Sequence, residues 1–158
     1  MKPRSGGFTL LELMVTLSLL GIIAGAAMPL SQRFALRAKE AELRDNLREI
    51  RNALDAYKRA TDEGKIEKKL GGSGYPANLQ ILVAGVPDRS TPDGKPLQFL
   101  RRIPRDPFFP DPAAAPEATW AQRAYASPAD APQAGEDVYD VMSLNQGTGL
   151  NGVPYREW

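Results

Sequence analysis

The chain passes from a short basic start into an apolar stretch, residues 8–30, whose single charged residue is Glu12. As a helix, that stretch is about long enough to cross a bilayer core of about 30 Å. Pro29 interrupts it. A proline in mid-helix removes one backbone hydrogen bond and crowds the carbonyl four residues back, at Gly25. Gly21 and Gly25 weaken the same stretch. Helical signal resumes at once, so a kink at Pro29 is expected rather than a stop. From Ser31 to about Asp62, Leu36, Leu43, Leu47, Ile50, Leu54 and Tyr57 recur at spacings of seven, four, three, four and three. That is one face of a helix. The opposite face is assigned Arg37, Glu40, Arg44, Arg48, Arg51, Asp55 and Lys58, with Glu40 and Arg44 four apart in the favourable order. The stripe predicts packing against later apolar segments. A coiled-coil dimer fits less well, because the heptad run is short.

After Gly74 the pattern changes to short apolar pieces separated by Pro and Gly. Residues 75–83 predict a turn followed by one or two helical turns, with Pro76 suited to a first helical position. Residues 86–95 predict a loop. Residues 97–103 fit either an extended segment or a short helix. Pro104-Arg105-Asp106-Pro107-Phe108 predicts a rigid polar turn, and residues 109–117 a Pro/Ala-rich surface loop. Residues 120–126 and 137–143 predict two strands, joined by a long hairpin connection over 127–136. A Gly-rich loop, 145–151, precedes the final segment. Phe108, Phe109, Trp120, Tyr125 and Tyr139 are assigned to core and packing surface, since so small a domain needs them to bury area.

Composition narrows the chemistry. The 158 residues carry a net charge of +1, interspersed rather than blocked, so nothing favours nucleic acid as a partner. The absence of Cys excludes a disulfide framework, thiol catalysis and thiolate metal sites. The absence of His removes the commonest general base and transition-metal ligand. No catalytic residues are assigned, and the chain is not expected to be an enzyme. Glu12 is the anomaly. A carboxylate near the centre of a membrane helix costs on the order of 3 kcal/mol by insertion scales, and such residues are functional by default.

Lys2-Pro3-Arg4-Ser5-Gly6-Gly7-Phe8-Thr9-Leu10-Leu11-Glu12 resembles the class III signal of type IV pilins and pseudopilins. The shared pattern is a basic leader ending in Gly, then Phe, then Glu at the fifth mature position. The resemblance implies cleavage between Gly7 and Phe8 by the prepilin peptidase and methylation of the Phe8 amine. It also implies pairing of Glu12 with the Phe8 amine of a neighbouring subunit during filament growth. Gly6 and Gly7 give a protease an extended, side-chain-free approach. An ammonium and a carboxylate meeting in a packed apolar core are each heavily penalised alone, so the pair can set register. The rival reading is an ordinary secretory signal, with Lys2 and Arg4 as its n-region and Ala24-Gly25-Ala26 as its cleavage site. Glu12 inside the would-be h-region, and the length of the apolar run, count against it.

Gly74-Tyr75-Pro76, the Pro104-x-Asp106-Pro107-aromatic turn, and the 137–143 strand leading into a Gly-rich loop near a terminal Trp are similar to the major pseudopilin of type II secretion systems. That resemblance implies an α+β, pilin-like fold: a long N-terminal helix packed on a small C-terminal domain with a short antiparallel sheet. The expected divisions are a leader over 1–7, a transmembrane and filament-core helix over 8–30, an amphipathic helix over 31–63, and a periplasmic region over 64–158. It implies a homo-oligomeric filament with minor pseudopilins, built by an inner-membrane platform with a cytoplasmic ATPase, and a single-pass inner-membrane protein whose N-terminus is cytoplasmic. Two alternatives are a type IV pilus subunit and a periplasmic enzyme or binding protein. Major pseudopilins commonly hold Ca²⁺ in the C-terminal loop. Here residues 144–152 contain no carboxylate, whereas Ca²⁺ favours six to eight oxygens, charged ones above all. A metal-free turn held by Asn side chains and a weak Ca²⁺ site using Asn145, Gln146, Thr148 and Asn151 both stay open, and no cofactor is assigned.

Overall fold

The computed structural model describes residues 7–93 and 95–158, apart from the side chains of residues 26–30. The first element is α1, Leu10–Asp62. It runs through two compact units, Met1–Ala38 and Lys39–Trp158. Helix assignment does not end at Pro29, and the kink expected there falls outside the described side chains.

In the first unit the large apolar side chains of residues 8–23 are all at least half exposed, from 50% at Val15 to 81% at Leu10. Among the described residues no helix is long and apolar enough to cross a membrane. The span expected over 8–30 is described in full only as far as residue 25. From Leu10 that is about 24 Å of helix, short of a hydrocarbon core about 30 Å thick.

The second unit has its own core. Leu43, Leu47, Ile50, Leu54 and Tyr57 are buried along α1, as their spacing predicts, with Ala53 and Ala60 beside them. Leu36, assigned to the same stripe, lies in the first unit and is partly exposed. Opposite the stripe come α2 (Gln80–Ala84), contributing Leu82, then β1 (Val86–Pro87) and β2 (Pro96–Leu97). β1 pairs with β2 in antiparallel register, Val86 facing Leu97. Part of the stretch expected to be loop is therefore a two-residue ladder. The helix begins at Gln80, not at Pro76, and the Asn78 Oδ1 accepts the Ile81 N–H at 3.1 Å at its start. Phe99 and Leu100 both donate backbone N–H groups to the Leu82 carbonyl, and Phe99 packs edge-on against Tyr57 at 5.4 Å.

A short 3-10 turn, Pro116–Thr119, leads into β3 (Trp120–Arg123), which pairs antiparallel with β4 (Asp140–Ser143). The register sets Trp120 against Ser143 and Arg123 against Asp140. Both strands fall inside the predicted ranges and are shorter. β3 stops where the chain starts its long connection, pinned by the Ala124 N–H on the Gln133 carbonyl at 2.9 Å. Trp120 and Val141 are buried, and the Trp120 indole N–H donates to the Pro104 carbonyl at 2.8 Å. Tyr125, by contrast, is mostly exposed, stacked on Tyr75. A second 3-10 turn, Tyr155–Glu157, completes the α+β arrangement.

Candidate assembly segment and C-terminal loop

The residues singled out by the N-terminal motif lie on the exposed start of α1. Phe8 is 77% exposed and Glu12 is exposed. Gly7 has open space around it: a Cβ placed there meets nothing within 4 Å. The first turn is closed by Thr9, whose Oγ1 accepts the Glu12 N–H at 3.2 Å, while its carbonyl accepts the Leu13 N–H at 3.1 Å. A helix start leaves its first N–H groups unpaired, and a Thr side chain is a common remedy. The spacing Thr-x-x-Glu is the sequence signature of such a start, so the contribution of Thr9 was readable from the chain. Lys2 and Arg4 lie outside the described residues.

The second constellation was not foreseen. Three residues assigned to the solvent face of α1 instead hold the C-terminal segment. Glu40 is 3% exposed. Its Oε1 accepts the Leu150 N–H at 2.7 Å and the Tyr155 hydroxyl at 3.0 Å. Arg44, its expected ion-pair partner, lies over the Trp158 ring at 4.1 Å. No Glu40–Arg44 ion pair forms among the described residues. Arg51 donates from Nε to Asp140 Oδ1 at 2.7 Å and from Nη2 to the backbone oxygens of Val141 and Trp158, at 3.2 and 2.7 Å. A signal was present for Glu40. The one spacing of seven, from Leu36 to Leu43, leaves an empty place on the apolar stripe, and Glu40 fills it. Arg44 and Arg51 flank the same stripe, where a guanidinium can reach past apolar neighbours.

The loop closes on itself. Asn145 Oδ1 accepts the Gly147 N–H at 2.6 Å, and Asn151 Oδ1 accepts the Val153 N–H at 3.1 Å. The Gly147 carbonyl takes the Tyr155 N–H at 3.0 Å, and the Gly149 carbonyl the Gly152 N–H at 2.9 Å. Gly149 is required by space, since a Cβ there would lie 2.3 Å from the Trp158 ring. Tyr155 stacks on Phe108 at 4.4 Å, with Trp158 edge-on at 5.0 Å. Burial pushes the Tyr155 phenol up to about 12, and its hydrogen bond to Glu40 adds to the shift.

These contacts test the loop as a Ca²⁺ site. A cation needs oxygens that converge with free lone pairs. The two Asn side chains and two of the glycine carbonyls instead accept N–H groups from within the loop. The carboxylate that reaches the loop meets two donors, Leu150 N–H and Tyr155 O–H. Among the described residues no group of three or more acidic, His or Cys side chains could hold a metal ion. Residues 144–152 thus offer a cation neutral oxygens only, several of them already accepting N–H groups.

Residues 2–28 match the family model of the prokaryotic N-terminal methylation motif. The remainder narrows the class. The chain is 32% identical over 114 residues to the type II secretion system core protein G of Aeromonas hydrophila, covering 68% of this chain and 70% of that protein. It is 32% identical over 115 residues to the core protein G of Klebsiella pneumoniae, covering 68% and 72%. The chain belongs to the type II secretion system core protein G family. It is also 38% identical over 56 residues to the type IV major pilin protein PilA of Myxococcus xanthus, a match covering 35% of this chain and about a quarter (26%) of that protein. No solved structure matches the chain.

Proposed function

We propose that this chain is the structural subunit of a pseudopilus, stored in the inner membrane and polymerised there to drive protein export through a type II secretion system. The observation that carries the reading is the exposed apolar run of the first unit. The large apolar side chains of residues 8–23 are half exposed or more, while the second unit has a buried core of its own. Exposed apolar surface of that extent calls for a covering, either lipid or other helices. Lipid serves a stored subunit, and neighbouring copies serve a filament. The chemistry is done to this chain, by a prepilin peptidase at Gly7–Phe8 and a methyltransferase at the Phe8 amine. Its own work is packing, with the Glu12 carboxylate and the Phe8 amine setting register. Minor pseudopilins and an ATPase-driven inner-membrane platform are the partners this role needs. The second unit lies on the periplasmic side, in keeping with a basic leader retained in the cytoplasm.

The similarity to a type IV major pilin favours a second reading, a surface pilus subunit. Deletion separates the two. Exoproteins retained in the periplasm support the pseudopilus, and loss of long surface fibres or twitching with secretion intact overturns it. Processing is tested by intact mass and N-terminal analysis of the membrane fraction, with and without prepilin peptidase. A chain starting at N-methylated Phe8 only in the presence of the peptidase is the expected result. A chain starting after Ala26 in the soluble fraction overturns it. Gly7→Val is expected to block cleavage.

A further inference from the structure

We propose that the buried Glu40 carboxylate organises the C-terminal loop in place of a metal ion, so that this subunit folds and holds its loop independently of calcium. The inference concerns the second unit and does not depend on the filament reading.

A loop of this kind has a standing problem. Residues 144–152 carry four polar side chains, two glycines that are close-packed or partly buried, and no carboxylate. A chain so poor in apolar anchors gains little on ordering and pays backbone entropy for every residue fixed. A cation solves the problem by drawing carbonyl and carboxylate oxygens to one point. The same result follows from the opposite polarity: an anion fixed on a rigid element, drawing donors to one point. Glu40 is that anion. It stands on α1 inside the second unit, is 3% exposed, and gathers a backbone N–H from residue 150 and a hydroxyl from residue 155 on a single oxygen. Hydrogen bonds to an ionised acceptor are about twice as strong as neutral ones, and more so away from water.

The surroundings match an anion centre rather than a cation centre. Arg44, one turn on from Glu40, brings positive charge close to Tyr155 and lies over the Trp158 ring. Arg51, two turns further, takes the Trp158 backbone oxygen. Three side chains of one helix therefore clamp one segment, and two of them are cations that a bound Ca²⁺ would repel. The loop's own Asn side chains finish the turn by accepting N–H groups from within the loop.

The test uses the full chain purified in detergent. Thermal unfolding and hydrogen exchange at the Leu150 amide are followed in EGTA and in millimolar CaCl₂. The expected result is the same midpoint and the same strong Leu150 protection in both. A calcium-dependent rise in midpoint, or slower Leu150 exchange with CaCl₂, overturns the proposal without need of any variant. The second arm replaces Glu40. Glu40→Ala is expected to speed Leu150 exchange by about tenfold or more, the scale of one lost charge-assisted hydrogen bond. Glu40→Gln, which keeps shape and one acceptor oxygen, is expected to fall between and to remain folded if Glu40→Ala does not. Wild-type exchange at Leu150 in both variants overturns the proposal.

Discussion

Arg51 Nε lies 2.7 Å from Asp140 Oδ1, so a side chain of α1 assigned by spacing to solvent holds the first residue of β4. The same guanidinium reaches the Val141 and Trp158 backbone oxygens. Its side chain is 36% exposed, so solvent screens part of the ion pair. The hydrogen bonds to backbone carry the rest. Arg51→Ala is expected to destabilise the second unit by about 1–3 kcal/mol, read from the urea midpoint. Arg51→Lys should recover only part, because one ammonium cannot reproduce a planar fork serving three oxygens. Full recovery by Lys would show that charge alone matters.

Asp106 makes the predicted Pro104–Phe108 turn rigid, and does so from inside the fold. It is 3% exposed. Oδ1 accepts the Phe108 N–H at 2.7 Å and Oδ2 accepts the Ser143 hydroxyl at 2.5 Å. Its own N–H donates to Thr119 Oγ1 at 3.1 Å. One carboxyl thus ties the turn to the end of β4. Asp106→Ala strands the buried Ser143 hydroxyl and the part-buried Phe108 N–H and is expected to cost about 2–4 kcal/mol in unfolding free energy. Ser143→Ala removes one donor to Asp106 and the part-buried acceptor of the Asn145 N–H but leaves the Phe108 cap, so its cost should be smaller. Equal losses would mean that the Ser143 contact, not the turn, is what Asp106 secures.

Tyr155 gives the fold an alkaline limit. A phenol ordinarily ionises near 10, and this one is pushed up to about 12 by burial first, then by the hydrogen bond and charge of Glu40, with Arg44 opposing. The folded value lies above the unfolded one, so the neutral phenol stabilises the fold fully below pH 10. That contribution is lost as pH rises through about 12. Denaturant midpoints measured across this window are expected to fall in the wild type. Tyr155→Phe should be less stable at neutral pH, because Glu40 loses a donor, and should lose less on going from pH 10 to 12. Tyr57 and Tyr75, also raised by burial, remain in the variant, so the difference between the two curves belongs to Tyr155.

Leu43, Leu47, Ile50, Leu54 and Tyr57 were legible because helical period and burial coincide there. The β3–β4 pair was legible because aromatic and β-branched residues flank a long polar connection. Glu40, Arg44 and Arg51 were not, for one physical reason. A helical wheel assigns charge to solvent, yet a charged side chain next to an apolar stripe can turn inward when a distant segment brings it partners. Leu150, Tyr155, Asp140 and Trp158 lie 89 to 115 residues away from those side chains. No local pattern specifies such pairings. The β1–β2 ladder was missed because Pro87 fell in the stretch 86–95 read as loop and Pro96 in no predicted element, although a proline at a sheet edge needs no N–H to pair. At the N-terminus the balance reverses. Gly7, Phe8 and Glu12 stand out by resemblance to the type IV pilin signal, whereas the fold adds to them only the Thr9 contact at the helix start.

Glu12 is exposed in the isolated chain. In a filament core the same group would be removed from water, where it is tolerable only with a partner. Breaking a buried ion pair by deleting one member costs about 3–5 kcal/mol, because the other charge is left uncompensated. Per contact that exceeds a hundredfold, at about 1.4 kcal/mol per factor of ten. Glu12→Leu discriminates sharply, since it makes the segment more apolar. If apolar packing alone drove assembly, this variant would polymerise at least as well as the wild type. The expected outcome is the reverse: cleavage after Gly7 and recovery in the membrane fraction stay normal, while sedimentable filaments are lost. Glu12→Gln, which keeps the shape without the charge, should fail in the same way. Normal filament yield from either variant would remove Glu12 from the register role and leave assembly to packing.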